Sequence, residues 1–240
     1  MSSSFWVVVP AAGVGKRMGA DKPKQYLPIL GRPLLAVTLR NILSWPGLAG
    51  VVVAVSAEDS YFSRLAEARH PLVHRVSGGA ERVDSVLAAL EFLSRRESPG
   101  TTVLVHDAAR PCVAQGDVAA LLEPGVSSIA LLAQPACDTV KLSGAESSGA
   151  TRVAQTLDRD LIWLAQTPQK APLGLLLSCL RQGLAQGAAI TDEASALELG
   201  GHAPQLVAGR RDNVKITHPA DILWAETILR LRHAATEDKQ

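Results

Sequence analysis

Short, almost wholly apolar runs recur along this chain of 240 residues, separated by longer segments whose apolar positions return every three to four residues. That alternation predicts βαβ units, an α/β fold and a mostly parallel sheet. Strands are expected at residues 5–9, 51–55, 102–106 and 128–132, each nearly all apolar, as strands covered on both faces are. Helices are expected at 33–44, 82–92, 172–186 and 219–231, the last opened by Thr217 or His218 as cap. In the second of these, Val83, Val86, Leu87 and Leu90 fall at i, i+3, i+4 and i+7 and predict its buried stripe. Between Gly187 and Gly200, Thr191 or Asp192 caps a short helix that ends at Gly200-Gly201.

One segment breaks the alternation. Residues 138–142 and 151–157 read as strands around the turn-rich stretch from Ser143 to Gly149. A two-stranded hairpin is marginal alone in water, so it needs a surface to pack on, and a second subunit is one candidate. No internal repeat or interdomain linker is visible, and the polar stretch 233–240 is expected to fray.

Composition narrows the class. The length allows one or two domains, and 47% hydrophobic with 20% charged residues excludes disorder. Lys plus Arg is 24 and Asp plus Glu 23, so the net charge is 24 − 23 = +1, which argues against a protein held to nucleic acid by bulk charge. The three cysteines, Cys112, Cys137 and Cys179, are far apart with no CxxC pair, which argues for a reducing compartment, the cytoplasm. The first apolar run stops at Pro10, too short for a signal peptide, and no run reaches the length of a membrane span.

The candidate chemistry starts directly after the first strand, in Pro10-Ala-Ala-Gly-Val-Gly-Lys-Arg-Met-Gly-Ala-Asp-Lys-Pro-Lys-Gln-Tyr26. Gly13, Gly15 and Gly19 let the backbone turn tightly, and successive N–H groups there can cradle phosphate oxygens. A dinucleotide fingerprint fails at Met18, and a P-loop fails at Pro10 and Arg17. Lys16, Arg17, Lys22 and Lys24 lie within nine positions, a density of charge that favours a triphosphate over a solvated basic loop.

Three further blocks follow. His106-Asp-Ala-Ala-Arg-Pro111 sits at the carboxyl end of a buried strand, the edge where open α/β sheets bind ligands. Asp107 can hold Mg²⁺ and Arg110 can reach the same phosphates, or the two form a capping Asp with its salt bridge. His106 reads as a packed strand-end residue rather than a ligand or base. Gly78-Gly-Ala-Glu-Arg-Val-Asp-Ser85 could read a nucleobase edge, with Glu81 and Arg82 equally explicable as first-turn residues. Lys215 lies on a β-like run before the last helix, a surface position unless that run borders the site.

In order along the chain, PAAGVGKRM, PKQYLPI, GGAERVDSV, VHDAARP, DTVK, TLDRDLIWLAQTPQ, ITDEASALE and DNVKIT resemble the 2-C-methyl-D-erythritol 4-phosphate cytidylyltransferase family. The resemblance implies a Rossmann-like three-layer nucleotidyltransferase fold, one domain over 1–240 with a protruding hairpin arm at about 137–160 that forms a homodimer. It implies transfer of CMP from CTP to methylerythritol phosphate in the non-mevalonate isoprenoid route, with Mg²⁺ on Asp107. Arg17, Lys24 and Lys215 would be catalytic. Ala11, Ala12, Gly13, Gly15, Arg17, Lys24, Gly79, Ser85 and Ala108 would bind the nucleotide. Asp107, Arg110, Thr139, Arg159, Thr167, Thr191 and Lys215 would bind the acceptor, Thr139 and Arg159 from the other subunit's arm. Ala80 stands where some relatives carry an acidic residue, so cytosine selection would rest on backbone groups and Ser85. The alternatives are a cytidylyltransferase for another polyol phosphate such as ribitol 5-phosphate, and a nucleotide-binding scaffold with a dead site.

Overall fold

The computed structural model of the chain describes residues 4–13, 22–123, 125–144 and 151–237. Strand β1 (Phe5–Pro10) is followed by a small hairpin, β2 (Pro28–Ile29) and β3 (Arg32–Pro33), and by helix α1 (Leu34–Leu43). Next come β4 (Leu48–Val55), β5 (Val73–Ser77), α2 (Arg82–Ser94), β6 (Thr102–Val105) and α3 (Gln115–Leu121). After β7 (Ala130–Pro135) an antiparallel pair projects, β8 (Val140–Ser143) and β9 (Val153–Leu157). The chain returns through β10 (Trp163–Pro172), α4 (Leu173–Ala185), α5 (Glu193–Leu199), β11 (Gln205–Ala208) and α6 (Pro219–Glu237).

Seven strands form one sheet in the order β11-β7-β10-β6-β1-β4-β5. All run parallel except β10, which pairs antiparallel with both β6 and β7. The apolar runs are near-continuous because both faces are covered. In β1, Phe5, Val7 and Val9 pack with α1 and α3 on one side, while Trp6 and Val8 pack with α2 and α4 on the other. A third cluster seats α6 on the β2–β3 hairpin through Ile29, Ile216, Ala225 and Leu229.

The α/β architecture expected from the alternation is therefore present, and the structure adjusts several elements. The buried stripe of α2 is Val86, Ala89, Leu90 and Leu93, with Val83 and Leu87 only half-buried at its flank. Lys215 lies in an extended stretch outside any sheet, tied to the 106–111 segment by the bond from Ile216 N to Ala109 O at 2.9 Å. The cap of α6 is reversed in direction: Asp221 Oδ2 accepts from Thr217 N, Thr217 Oγ1 and His218 N. Asp192 caps α5, its side chain accepting from Ser195 N.

Strands β5, β10 and β11 and helix α3 had no counterpart in the pattern of apolar runs. The reason is clearest in β10, whose Gln166, Thr167, Gln169 and Lys170 are all buried despite their polarity. Lys170 is tolerated because its Nζ donates to Leu121 O at 2.8 Å, the last residue of α3, where carbonyls lack helical partners.

If Leu90 rather than Leu87 faces the core, Leu90→Ala should cost about 2–5 kcal/mol in urea unfolding and Leu87→Ala less than half of that.

Candidate active site

The strand order places a crevice at the carboxyl ends of β1 and β6. From β1 the chain proceeds outward to β4 and β5, then returns to lay β6 on the other side of β1. At such a reversal the connections leave in opposite directions and open a ligand-sized gap. Residues 11–13 leave one strand there and residues 106–111 leave the other. His106 N donates to Val8 O at 2.9 Å, and Ala11 N to Ala54 O at 2.7 Å, so both exits are held by the sheet. Gln25 Nε2 donates to Ala11 O at 2.7 Å from a buried position, tying the start of the glycine loop to its end.

A cavity of about 290 Å³ fills this crevice, bordered by Ala11, Ala12, Gly13, Lys24, Ser85, Asp107, Ala108 and Lys215. A second, of about 190 Å³, is bordered by Arg110, Thr167, Thr191, Gln166, Gln169 and Asp192. The two share Arg82, Asp107 and Lys215. Lys215, which sequence left as a surface residue unless its run bordered the site, thus stands at the junction. Lys24 Nζ donates to Ile216 O at 2.9 Å, so the two lysines approach from adjoining segments.

Asp107 stands at the same junction of the two cavities. Its Oδ2 is 2.7 Å from Lys215 Nζ and 3.8 Å from Arg110 Nε, and its Oδ1 is 3.1 Å from Arg82 Nη2. Burial pushes this carboxyl up, but Arg82, Lys215 and Arg110 outweigh it and hold it well below the usual carboxylate range. The balance is expected: at an effective dielectric of about 20, a pair at 4 Å gains about 4 kcal/mol before desolvation. Arg110 is fixed from behind, donating Nη1 to Asn213 O at 2.7 Å and Nη2 to Ala165 O at 3.5 Å, while its buried Nε has no hydrogen-bond partner.

The family model "IspD: 2-C-methyl-D-erythritol 4-phosphate cytidylyltransferase" matches residues 5–231. The chain belongs to this family. It is accordingly a nucleotidyltransferase, and the resemblance carried by the eight sequence blocks is borne out. The chain is 50% identical over 237 residues to the enzyme of this name from Shewanella amazonensis, covering 98% of this chain and 97% of that one. It is 50% identical over 229 residues to the one from Vibrio vulnificus (strain CMCP6), 95% of each chain. The crystal structure of the Francisella tularensis 2-C-methyl-D-erythritol 4-phosphate cytidylyltransferase has a TM-score of 0.80 at 34% identity, covering 94% of this chain and all of that one (100%).

The remaining expected residues of this cytidylyltransferase fall in three places. Gly15 and Arg17 lie outside the described residues. Gly79 is not on the cavity wall; a Cβ there would meet Asp84 Cβ at 2.2 Å, inside the first turn of α2. Its neighbour Gly78 packs against two residues of that wall, since a Cβ would sit 2.6 Å from both Ala12 Cβ and Ser85 Oγ. Thr139 and Arg159 border neither cavity of their own chain; both are exposed at the root of the β8–β9 hairpin, where Arg159 Nη1 donates to Cys137 O at 3.0 Å.

Sequence reasoning missed Arg82, Gln169, Glu193 and Asn213 as structural parts of the site. Their signal was position only: Glu193 follows Thr191 by two residues, and Gln169 lies two beyond Thr167. His106 is as expected a packed residue. It is fully buried, its Nε2 is 3.0 Å from Arg110 O and its Nδ1 is 3.1 Å from Thr167 Oγ1. A carbonyl can only accept, so Nε2 carries the proton and Nδ1 accepts from the threonine, whose oxygen in turn accepts from Asp107 N at 3.0 Å.

Burial lowers His106 to about 4. The unfolded chain, with an ordinary histidine near 6.5, therefore binds the extra proton first as the pH falls. Stability should drop by about 2 kcal/mol between pH 7 and pH 5 from this residue alone. Urea unfolding at the two pH values checks this, and His106→Gln should flatten that part of the slope.

Proposed function

We propose that this chain transfers CMP from CTP to 2-C-methyl-D-erythritol 4-phosphate, giving 4-diphosphocytidyl-2-C-methyl-D-erythritol and pyrophosphate in the non-mevalonate route to isoprenoid precursors. The observation that carries this reading is the meeting of two cavities at Asp107 and Lys215, with cations on both sides. The larger cavity takes CTP. Ala11, Ala12, Gly13, Gly15, Ser85 and Ala108 contact the nucleoside, with Gly79 in the turn behind Ser85, while Lys24 and Arg17 meet the triphosphate. The smaller takes the acceptor phosphate against Arg110, Thr167 and Thr191.

The nucleophile is a phosphate monoester with a second pKa near 6, mostly dianionic at pH 7. No general base is needed, in keeping with a neutral, enclosed His106. What must be overcome is repulsion between two anions and charge building on the α-phosphate. Lys24, Arg17 and Lys215 stabilise that charge, and the shared wall holds attacking and leaving oxygens in line.

Asp107 fits Mg²⁺, which needs one or two carboxylates with phosphate oxygens and water. Arg82 and Lys215 already engage both oxygens of this carboxylate and Arg110 Nε stands 3.8 Å away, so the ion would take its place on Asp107 by sharing or displacing one of these cations as the phosphates arrive. Among the described residues no group of three or more His, Cys, Asp or Glu gathers for a metal, so the nucleotide's own oxygens would complete the set. When bound, the ion neutralises charge shared among the phosphates.

The whole chain is read as one nucleotidyltransferase domain whose arm, at about 137–160, completes the partner's site in a homodimer. Leu142, Val153, Leu161 and Leu164 are large apolar side chains left exposed on and beside the hairpin, which supports an arm that is covered by a second copy. We place the enzyme in the cytoplasm: Cys112, Cys137 and Cys179 are free thiols, and no helix among the described residues is long and apolar enough to cross a membrane.

Pyrophosphate release from CTP tests the reaction. Turnover is expected with methylerythritol phosphate and Mg²⁺, and loss of turnover with EDTA, restored by excess Mg²⁺; faster turnover with ribitol 5-phosphate would reassign the acceptor. The arm is tested by complementation. Arg159→Ala and Lys215→Ala proteins, each weak alone, should regain about a quarter of wild-type turnover when mixed equally and allowed to exchange subunits. A mixed dimer has one site with Lys215 and the partner's Arg159 both intact. No recovery after exchange would show that the arm does not act across the dimer.

A further inference from the structure

Arg82 is held on two edges by groups from opposite sides of the site. Its Nη1 and Nη2 meet Glu193 Oε1 and Oε2 at 2.7 and 3.1 Å, a two-pronged pair. Its Nε donates to Asp107 Oδ1 at 3.2 Å. Glu193 is 2% exposed and begins α5, two residues after Thr191. That helix start is itself pinned to β10. Gln169 Nε2 donates to Asp192 Oδ2 at 2.9 Å, and Gln169 Oε1 accepts from Ala194 N at 2.8 Å. Thr191, on the acceptor side, and Asp107, at the junction, are thus connected through one planar guanidinium. A buried ion pair is weak ground for a stabilising role, since apolar groups of the same volume often serve as well. What apolar groups cannot do is hold a carboxylate in one orientation.

We infer that Arg82 is a positioning residue for the transfer: clamped by Glu193, it fixes Asp107 relative to the Thr191 segment and makes the nucleotide and acceptor sides one rigid unit. This rests on the two-cavity reading above. Reacting phosphates approach Asp107 from both cavities, so a displacement of this carboxylate is felt by both partners of the in-line geometry. Charge alone does not suffice, because a lysine at position 82 is a point charge and cannot span both carboxylates as a fork does.

Two variants of the full-length enzyme test this, Arg82→Lys and Glu193→Gln. The first keeps the charge and loses the fork; the second keeps the carboxylate's shape and loses its charge. Both should lower kcat about 10- to 100-fold. Binding of a non-transferable CTP analogue, followed by calorimetry, should stay within about threefold of wild type. Wild-type kcat in Arg82→Lys overturns the inference, and so does a loss of analogue binding as large as the loss of kcat. Should Arg82→Lys not fold, as thermal melting would show, Glu193→Gln decides by the same two readings. The two ideas fail separately. A wild-type protein that releases no pyrophosphate from CTP sinks the proposed function and this inference with it. An active wild type with an unimpaired Arg82→Lys variant sinks the inference alone.

Discussion

A carboxylate surrounded by three cations is the constraint on which the site depends. Asp107 is almost wholly enclosed, and an enclosed carboxyl without partners would take up a proton rather than carry charge. Arg82, Arg110 and Lys215 in turn would repel one another at this spacing without an anion among them. Each supplies what the others need, and each arrives on a different segment: the start of α2, the exit from β6 and the stretch before α6. The hydrogen bond from Asp107 N to Thr167 Oγ1 adds β10 to the same centre. Four parts of the chain that are remote in sequence are therefore fixed by one local charge balance.

That balance also explains the division of the cleft. The larger cavity is walled by small residues and backbone, with Ala11, Ala12, Gly13 and Ala108 leaving room for a flat, polar group to approach the main chain. The smaller is walled by polar groups held by fixed partners: Gln169 by α5, the Thr167 hydroxyl by His106, and Thr167 O by Asn213 Nδ2 at 2.9 Å from behind. The first wall admits a ligand by shape and the second presents fixed dipoles and charge. Chemistry between two anions needs both, because attraction without orientation binds them and does not align them.

Much of this was legible beforehand where the signal was local. The apolar runs of β1, β4 and β6 and the helical stripes announce themselves because burial on both faces removes polar residues from those positions. The glycine loop, His106 to Arg110 and the Thr191 segment stand out because chemistry concentrates unusual residues in a few positions. Arg82 and Glu193 did not stand out, since an arginine and a glutamate in a helix's first turn are ordinary anywhere; only their separation of 2.7 Å across 111 residues makes them notable. That Gly78 packs against Ala12 and Ser85, two residues of the cavity wall, depends on where distant segments come to rest, which spacing alone does not give.

The sequence by itself determined the alternating architecture, the apolar runs of the buried strands, and the family. These are properties of neighbouring residues, where period and composition carry the physics. Only the tertiary structure decided that β10 enters the sheet antiparallel, that its polar side chains are buried, that the stretch around Lys215 borders the site, and that Arg82 links its two sides. Those depend on pairing between distant segments, and a polar residue's burial is set by whether a partner is waiting for it. For Lys170 that partner lies 49 residues away, and for Arg82 it lies 111 away.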